Sequence, residues 1–259
     1  MYSFLHELLS DKKGGEIFVL FGFWHFLYIF LTIFGVIAVM FTMRNKHNDT
    51  RGKTAKVFIN IAFGMYILDF FLMPLAYGEI DIEKLPFHCC TAMCVMSFLS
   101  CYIPRLEKYR TSFALLGFIS NFVYLVYPAG VMWKAVHPLS YRVIQTLLFH
   151  GVMTIYGFLS IVYTSEKYSL KLARRDLSVI ALMILWALAG NYAYNGNTEG
   201  YSHFFNWFFV VRDPFNLFSE LVAPYIMPFL NMVVFSAVAI LVRLLVGKLS
   251  PKCSQVSCL

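Results

Sequence analysis

The sequence predicts an all-α membrane protein, and two observations carry that prediction. Seven apolar stretches, 17–42, 57–77, 87–104, 111–130, 142–164, 177–195 and 222–246, fill the 259 residues. All approach or exceed the ~20 residues that ~30 Å of hydrocarbon demands at ~1.5 Å per residue. Hydrophobic residues make up 59% of the chain and charged residues 14%, whereas a soluble domain carries roughly a quarter charged. A bilayer offers no solvent to backbone polar groups, so long apolar runs without period-two alternation are helices and not barrel strands. The expected architecture is a seven-helix transmembrane domain at 17–247, flanked by an outer segment at 1–16 and a cytoplasmic tail at 248–259.

The first stretch is longer than a signal core and follows a mix of acidic and basic residues between Glu7 and Glu16, so it is expected to be retained. The loop after it holds Arg44, Lys46, Arg51, Lys53 and Lys56, whereas the loop after the second stretch holds Lys84 alone. The third stretch is bracketed by Pro86 and Pro104 and followed by Arg105, Lys108 and Arg110. The fourth connection, with Lys134 and Arg142, votes weakly, and the fifth carries Lys167, Lys171, Arg174 and Arg175. The sixth has Arg212 alone, and Lys248 and Lys252 follow the seventh stretch. Cations therefore mark the odd loops and the C-terminus as cytoplasmic, with the N-terminus outside. The formal charge of +7 reports orientation; the expected partners are membrane lipids and not nucleic acid, with the oligomeric state left open.

Two features interrupt the regular pattern. The sixth connection contains Tyr201, Phe204, Phe205, Trp207, Phe208 and Phe209, and is broken by Arg212, Asp213 and Pro214. It reads as an interfacial or re-entrant segment on the outer face: an aromatic belt in the plain reading, a lid over a lipid-facing cavity in the sharper one. Pro224 and Pro228 punctuate the last helix, where freed carbonyls need other partners. No internal repeat is evident, which argues against an inverted-repeat transporter.

Polar groups inside spans are costly and face the bundle interior, so each is a site candidate. Here they are His25, Asp69, His88, Asn121, His150, Asn191 and Asn231. His25, Asp69 and His150 each lie eight residues from the outer end of their stretch, about 12 Å deep, and are compatible with one layer. The remaining inner halves are apolar apart from small hydroxyls and Arg243, which does not suggest an ion path.

The sharpest cluster is Leu85-Pro86-Phe87-His88-Cys89-Cys90-Thr91. A helix N-terminus favours a thiolate through its unpaired amides and macrodipole. Cys90 or Cys89 is thus a candidate nucleophile, against the reading that each is a small buried hydrophobe. His150, flanked at four-residue spacing by Thr146 and Thr154, is the candidate general base, with Asp69 a candidate to hold its tautomer. Asn191 and Tyr192, near the outer end of the sixth stretch, are candidates to stabilise an oxyanion or bind a head group; the competing reading is an interfacial cap. His25, His88, His150 and Asp69 have metal-donor chemistry but no two-ligand spacing, so neither metal nor cofactor is expected. Cys253 and Cys258 form no prenylation box, and the absence of lysine from 222–246 argues against a retinal Schiff base.

Over nearly its whole length the chain resembles the YwaF-type integral membrane proteins of bacteria, which are grouped with the eukaryotic transmembrane protein 164 family. The resemblance rests on Trp24-His25 before a long apolar run, Leu85 to Cys90 opening the third helix, Phe149-His150-Gly151 in the fifth, and Asn191-Tyr192 closing the sixth. It implies a bacterial plasma-membrane protein and, through the eukaryotic members, acyl transfer or hydrolysis on a lipid by a Cys/His pair. In those members the cysteine directly precedes the histidine, a position that is Phe87 here; Cys89 and Cys90 follow His88 instead. The resemblance transfers most directly to His150. The rival reading is a pocket that binds or transports a small molecule or lipid without cleaving a bond.

Overall fold

A computed structural model describes residue 9 and residues 16–77, 82–132, 135–163, 168–195, 205–214 and 217–249. Tyr201, Phe204, Lys134, Lys167, the tail cysteines Cys253 and Cys258 and nearly all of the 1–16 segment lie outside the described residues. Among those described, the long elements are all helices: α1 (Phe23–Met43), α2 (Asn48–Tyr77), α3 (Cys89–Ser100), α4 (Arg110–Val126), α5 (Tyr141–Val162), α6 (Leu170–Asn195) and α7 (Ala223–Leu249).

Five of these, α1, α2, α5, α6 and α7, are long and apolar enough to cross a membrane. α3 and α4 are shorter than their apolar stretches promised, with 12 and 17 residues, or about 18 Å and 26 Å of rise. The cause is local. α3 begins only at Cys89 because His88 is its extended N-cap, and it ends before Pro104, which opens a separate turn at Pro104–Glu107. α4 stops at Val126 because Tyr127 precedes Pro128, and a residue before proline is pushed out of the helical region.

Contacts between termini define two ends of the bundle. At one end Tyr163, just past α5, donates to the Met40 carbonyl of α1 at 3.0 Å. Arg51 of α2 caps α1 there, with Nε on Met43 O at 3.0 Å and Nη2 on Arg44 O at 2.7 Å, satisfying carbonyls that a helix C-terminus leaves bare. At the same end Arg243 of α7 pairs with Asp176 of α6, 2.9 Å and 3.1 Å, and reaches Thr111 O of α4 at 3.2 Å. At the opposite end His25 of α1 meets Leu125 O of α4, Tyr66 of α2 donates to Lys84 O, and Trp186 of α6 donates to Pro86 O at 2.7 Å. Consecutive long helices therefore run up and down. The basic connections gather at the first end, and the polar site candidates at the second.

α5 is the hub, packed against α1, α2, α4 and α7. Gly157 lets it approach α4: a Cβ there would stand 2.8 Å from Ala114 O and 2.7 Å from Phe118 Cβ, the close contact for which small residues serve at membrane helix interfaces. The outward faces of α1 and α7 expose Phe26, Phe30, Phe34, Phe229 and Val233, surfaces that hydrocarbon can cover.

Candidate functional site

The Leu85-to-Cys90 motif enters α3 at its amino end. His88 sits at the N-cap with no side-chain cap hydrogen bond, so the first-turn amides keep capacity for an anion. The Cys90 thiol lies against the backbone amides of Cys90 and Thr91, with the Lys84 ammonium in electrostatic range. Cys90 is partly exposed, whereas Cys89 is buried in the apolar core cluster that also holds Ala187 and Trp207, with Ser120 in reach of its sulfur.

Across the bundle, α5 presents His150, 4% exposed. Its partner is Asn121 of α4, with Oδ1 2.6 Å from Nδ1. The direction of this bond follows from a second one: Asn121 Nδ2 donates to Gly117 O at 2.7 Å. A carbonyl only accepts, so the amide is oriented with Oδ1 toward the imidazole, and Oδ1 likewise only accepts. Nδ1 must then carry the proton, leaving Nε2 with its lone pair. Tyr124 stacks on the ring at 3.8 Å and 15°, fixing its plane.

Asp69, 3% exposed, binds Lys84 Nζ at 2.8 Å. It faces the lysine, not the imidazole, so the tautomer-holding part expected of Asp69 falls to Asn121. Sequence reasoning missed Lys84, Tyr66 and Tyr124. In the sequence Lys84 reads only as a loop cation; the Ile82–Lys84 turn brings it, half-buried, onto Asp69 of α2.

The remaining candidates lie apart from this cluster. His25 is wholly buried, and both of its nitrogens are engaged: Phe21 N donates to Nδ1 at 3.0 Å and Nε2 donates to Leu125 O at 2.8 Å. It attaches to α4 one turn from the Asn121–His150 contact but is joined to neither residue by a hydrogen bond. Tyr192 is 62% exposed on the outward side of α6.

Asn191 holds the aromatic segment of the sixth connection. Its Nδ2 donates to Trp207 O at 3.0 Å and its Oδ1 accepts from Trp207 N at 2.9 Å. Asn195, one turn on, makes the same reciprocal pair with Phe205, both bonds 2.8 Å. Asn231 of α7 donates to Phe208 O and Phe209 O. The segment is therefore folded inward, with Trp207 1% exposed, and is not a surface belt. Buried non-helical backbone needs partners, and asparagine amides supply them. Trp207 stacks on Phe87 at 4.8 Å and on Phe205 at 4.7 Å, and meets the His88 ring edge-on at 6.3 Å. The segment thus covers the side of α3 that carries the motif. Phe208 and Phe209 hold left-handed φ of 59° and 53°, a strain that the clamps offset.

Among the described residues no group of three or more His, Cys, Asp or Glu side chains converges in a way that would hold a metal. No curated protein and no solved structure matches the chain. The model of the TMEM164 family matches residues 20–247, which takes in α1 to α6 and all but the last two residues of α7. The chain is a multi-span integral membrane protein and belongs to the TMEM164 family.

Proposed function

We propose that this protein is a lipid acyltransferase or hydrolase of the bacterial plasma membrane, working through Cys90 and His150. In this reading α3 and α4 also cross the bilayer, giving seven spans. The basic end of the bundle is cytoplasmic and the Cys90–His150 end lies in the outer half. The observation that carries the reading is the chain Gly117 O, Asn121, His150, which leaves Nε2 as a base. The position of Cys90 in the first turn of α3, whose N-cap makes no side-chain cap hydrogen bond, supports it further.

The chemistry runs in two steps. His150 Nε2 takes the Cys90 thiol proton, and the thiolate attacks the ester carbonyl carbon of a lipid. The α3 amides receive the developing oxyanion. Collapse breaks the carbon–oxygen bond, the leaving alkoxide takes the proton from His150, and an acyl thioester remains. A second lipid hydroxyl, or water, then gives its proton to Nε2 and attacks the thioester. The acyl group leaves on the new oxygen, and the proton returns to the Cys90 sulfur. Cys90 is preferred to Cys89 because Cys89 is packed into the apolar core.

The test is acyl turnover on a lipid panel by purified, reconstituted protein, read by mass spectrometry. Cys90→Ser and His150→Gln should abolish product, and Asn121→Ala should lower kcat by at least about 100-fold, the lower bound for a positioned base. Full turnover by His150→Gln removes the mechanism. A second reading, lipid binding without cleavage, is favoured by the burial of Asp69 and His150; its signature is saturable binding with no product from any lipid.

A further inference from the structure

A cavity of about 480 Å³ opens far from Cys90 and His150, at the basic end of the bundle. Lys171, Arg174, Arg175 and Ser178 line it from α6, together with Leu170, and Tyr109 closes it from the start of α4. The spacing 171, 174, 175, 178 places these four side chains on one helical face. Lys171 and Arg174, close together on that face, repel one another unless an anion joins them, and two described carboxylates nearby are occupied. Asp176 is buried with Arg243 on the other side of α6, and Glu107 faces Arg110 at 3.9 Å. Lys171 and Arg174 form no ion pair among the described residues. The first turn of α6 adds its amides to the same field.

Depth narrows the ligand. The apolar stretch of α6 begins at 177, so the three cations stand within two turns of the hydrocarbon boundary, at head-group level, with exposed Leu170 and Leu177 beside them. We propose that this cleft between α6 and Tyr109 is a binding site for a phosphate-bearing anion, filled by the head group of an anionic phospholipid from the leaflet at the basic end. The hydroxyl of Tyr109 stands at the cleft as a further polar contact, whereas Ser178 donates its own proton to Arg174 O at 2.8 Å. The site is separate from the acyl chemistry and does not rest on it.

The probe is dioctanoyl phosphatidic acid, titrated into the purified full-length protein in neutral detergent and followed by native mass spectrometry. Dioctanoyl phosphatidylcholine and inorganic phosphate are run in parallel. Saturable binding of phosphatidic acid is expected, with phosphatidylcholine weaker. The double variant K171Q/R174Q, on exposed positions, should weaken binding at least about tenfold, at the increment typical of a basic residue near a lipid surface. The variant R44Q/K46Q removes the same charge from the same end of the bundle and should leave affinity unchanged. Displacement by inorganic phosphate at equal concentration supports the anion site with free phosphate as its source; no displacement supports the lipid head group. Equal weakening by both double variants, or none by K171Q/R174Q, overturns the site. Binding should persist in His150→Gln, so failure here and failure of the acyl mechanism are read separately.

Discussion

Replacing Asn191 by Leu removes an amide of nearly the same size from a position with no solvent exposure. Both polar atoms of that amide are bonded to one residue, Trp207 N and Trp207 O, at 2.9 Å and 3.0 Å. Trp207 is itself buried, so the variant strands one donor and one acceptor in an apolar setting. Each orphan costs about 1–3 kcal/mol, which makes the loss about 2–6 kcal/mol for the pair. The loss falls on the 205–211 segment first, because α6 retains its own backbone ladder and Asn195 still holds Phe205. Local opening should rise at least about 30-fold, the equivalent of 2 kcal/mol. Hydrogen exchange by mass spectrometry, on the full protein in nanodiscs, should show faster exchange in the peptide containing Trp207 and little change in α5. Unchanged exchange at Trp207 would refute the claim that asparagine side chains stand in for the missing backbone partners of this segment. Uniform acceleration through α5 would refute the claim that the segment opens independently.

The packing and charge arguments yield two more expectations. Gly157→Ala puts a methyl against Ala114 O and the Phe118 backbone, which cannot yield as a side-chain tip can. Thermal unfolding in detergent should register a loss of about 1–3 kcal/mol. Arg243→Met should cost about 3–5 kcal/mol by leaving Asp176 buried without its partner, whereas Arg243→Met with Asp176→Leu should recover most of that loss; a double variant as unstable as the single would place Arg243's contribution in its Thr111 contact instead.

The helices were legible because a bilayer makes hydrophobic length nearly sufficient evidence for them. What the apolar stretches could not convey was where α3 stops. Residues 101–103 are as apolar as the helix before them, and only the turn nucleated at Pro104 separates them from it. Among site residues, His150 and Cys90 stood out because ionisable and thiol groups are rare inside spans. Lys84 did not, since it lies in a connection where a lysine is ordinary. The Asp176–Arg243 pair was invisible for the same reason: the two residues are 67 positions apart, and Asp176 precedes its apolar stretch by one residue. Asn191 stood out for its polarity but not for its task. A side-chain amide that serves backbone and one that serves a ligand have the same composition and depth, and only the partner distinguishes them.

That distinction also separates the two imidazoles. His25 and His150 lie at similar depth on adjacent helices, and both reach to α4. At His25 the backbone of Phe21 and Leu125 occupies both nitrogens, so the ring joins the α1 entry to the end of α4 and has nothing left to give. At His150 a side chain occupies Nδ1 alone, and among the described residues Nε2 meets no hydrogen-bond partner. In the proposed mechanism this is the atom that takes the reacting proton, on a ring whose tautomer Asn121 sets and whose plane Tyr124 holds.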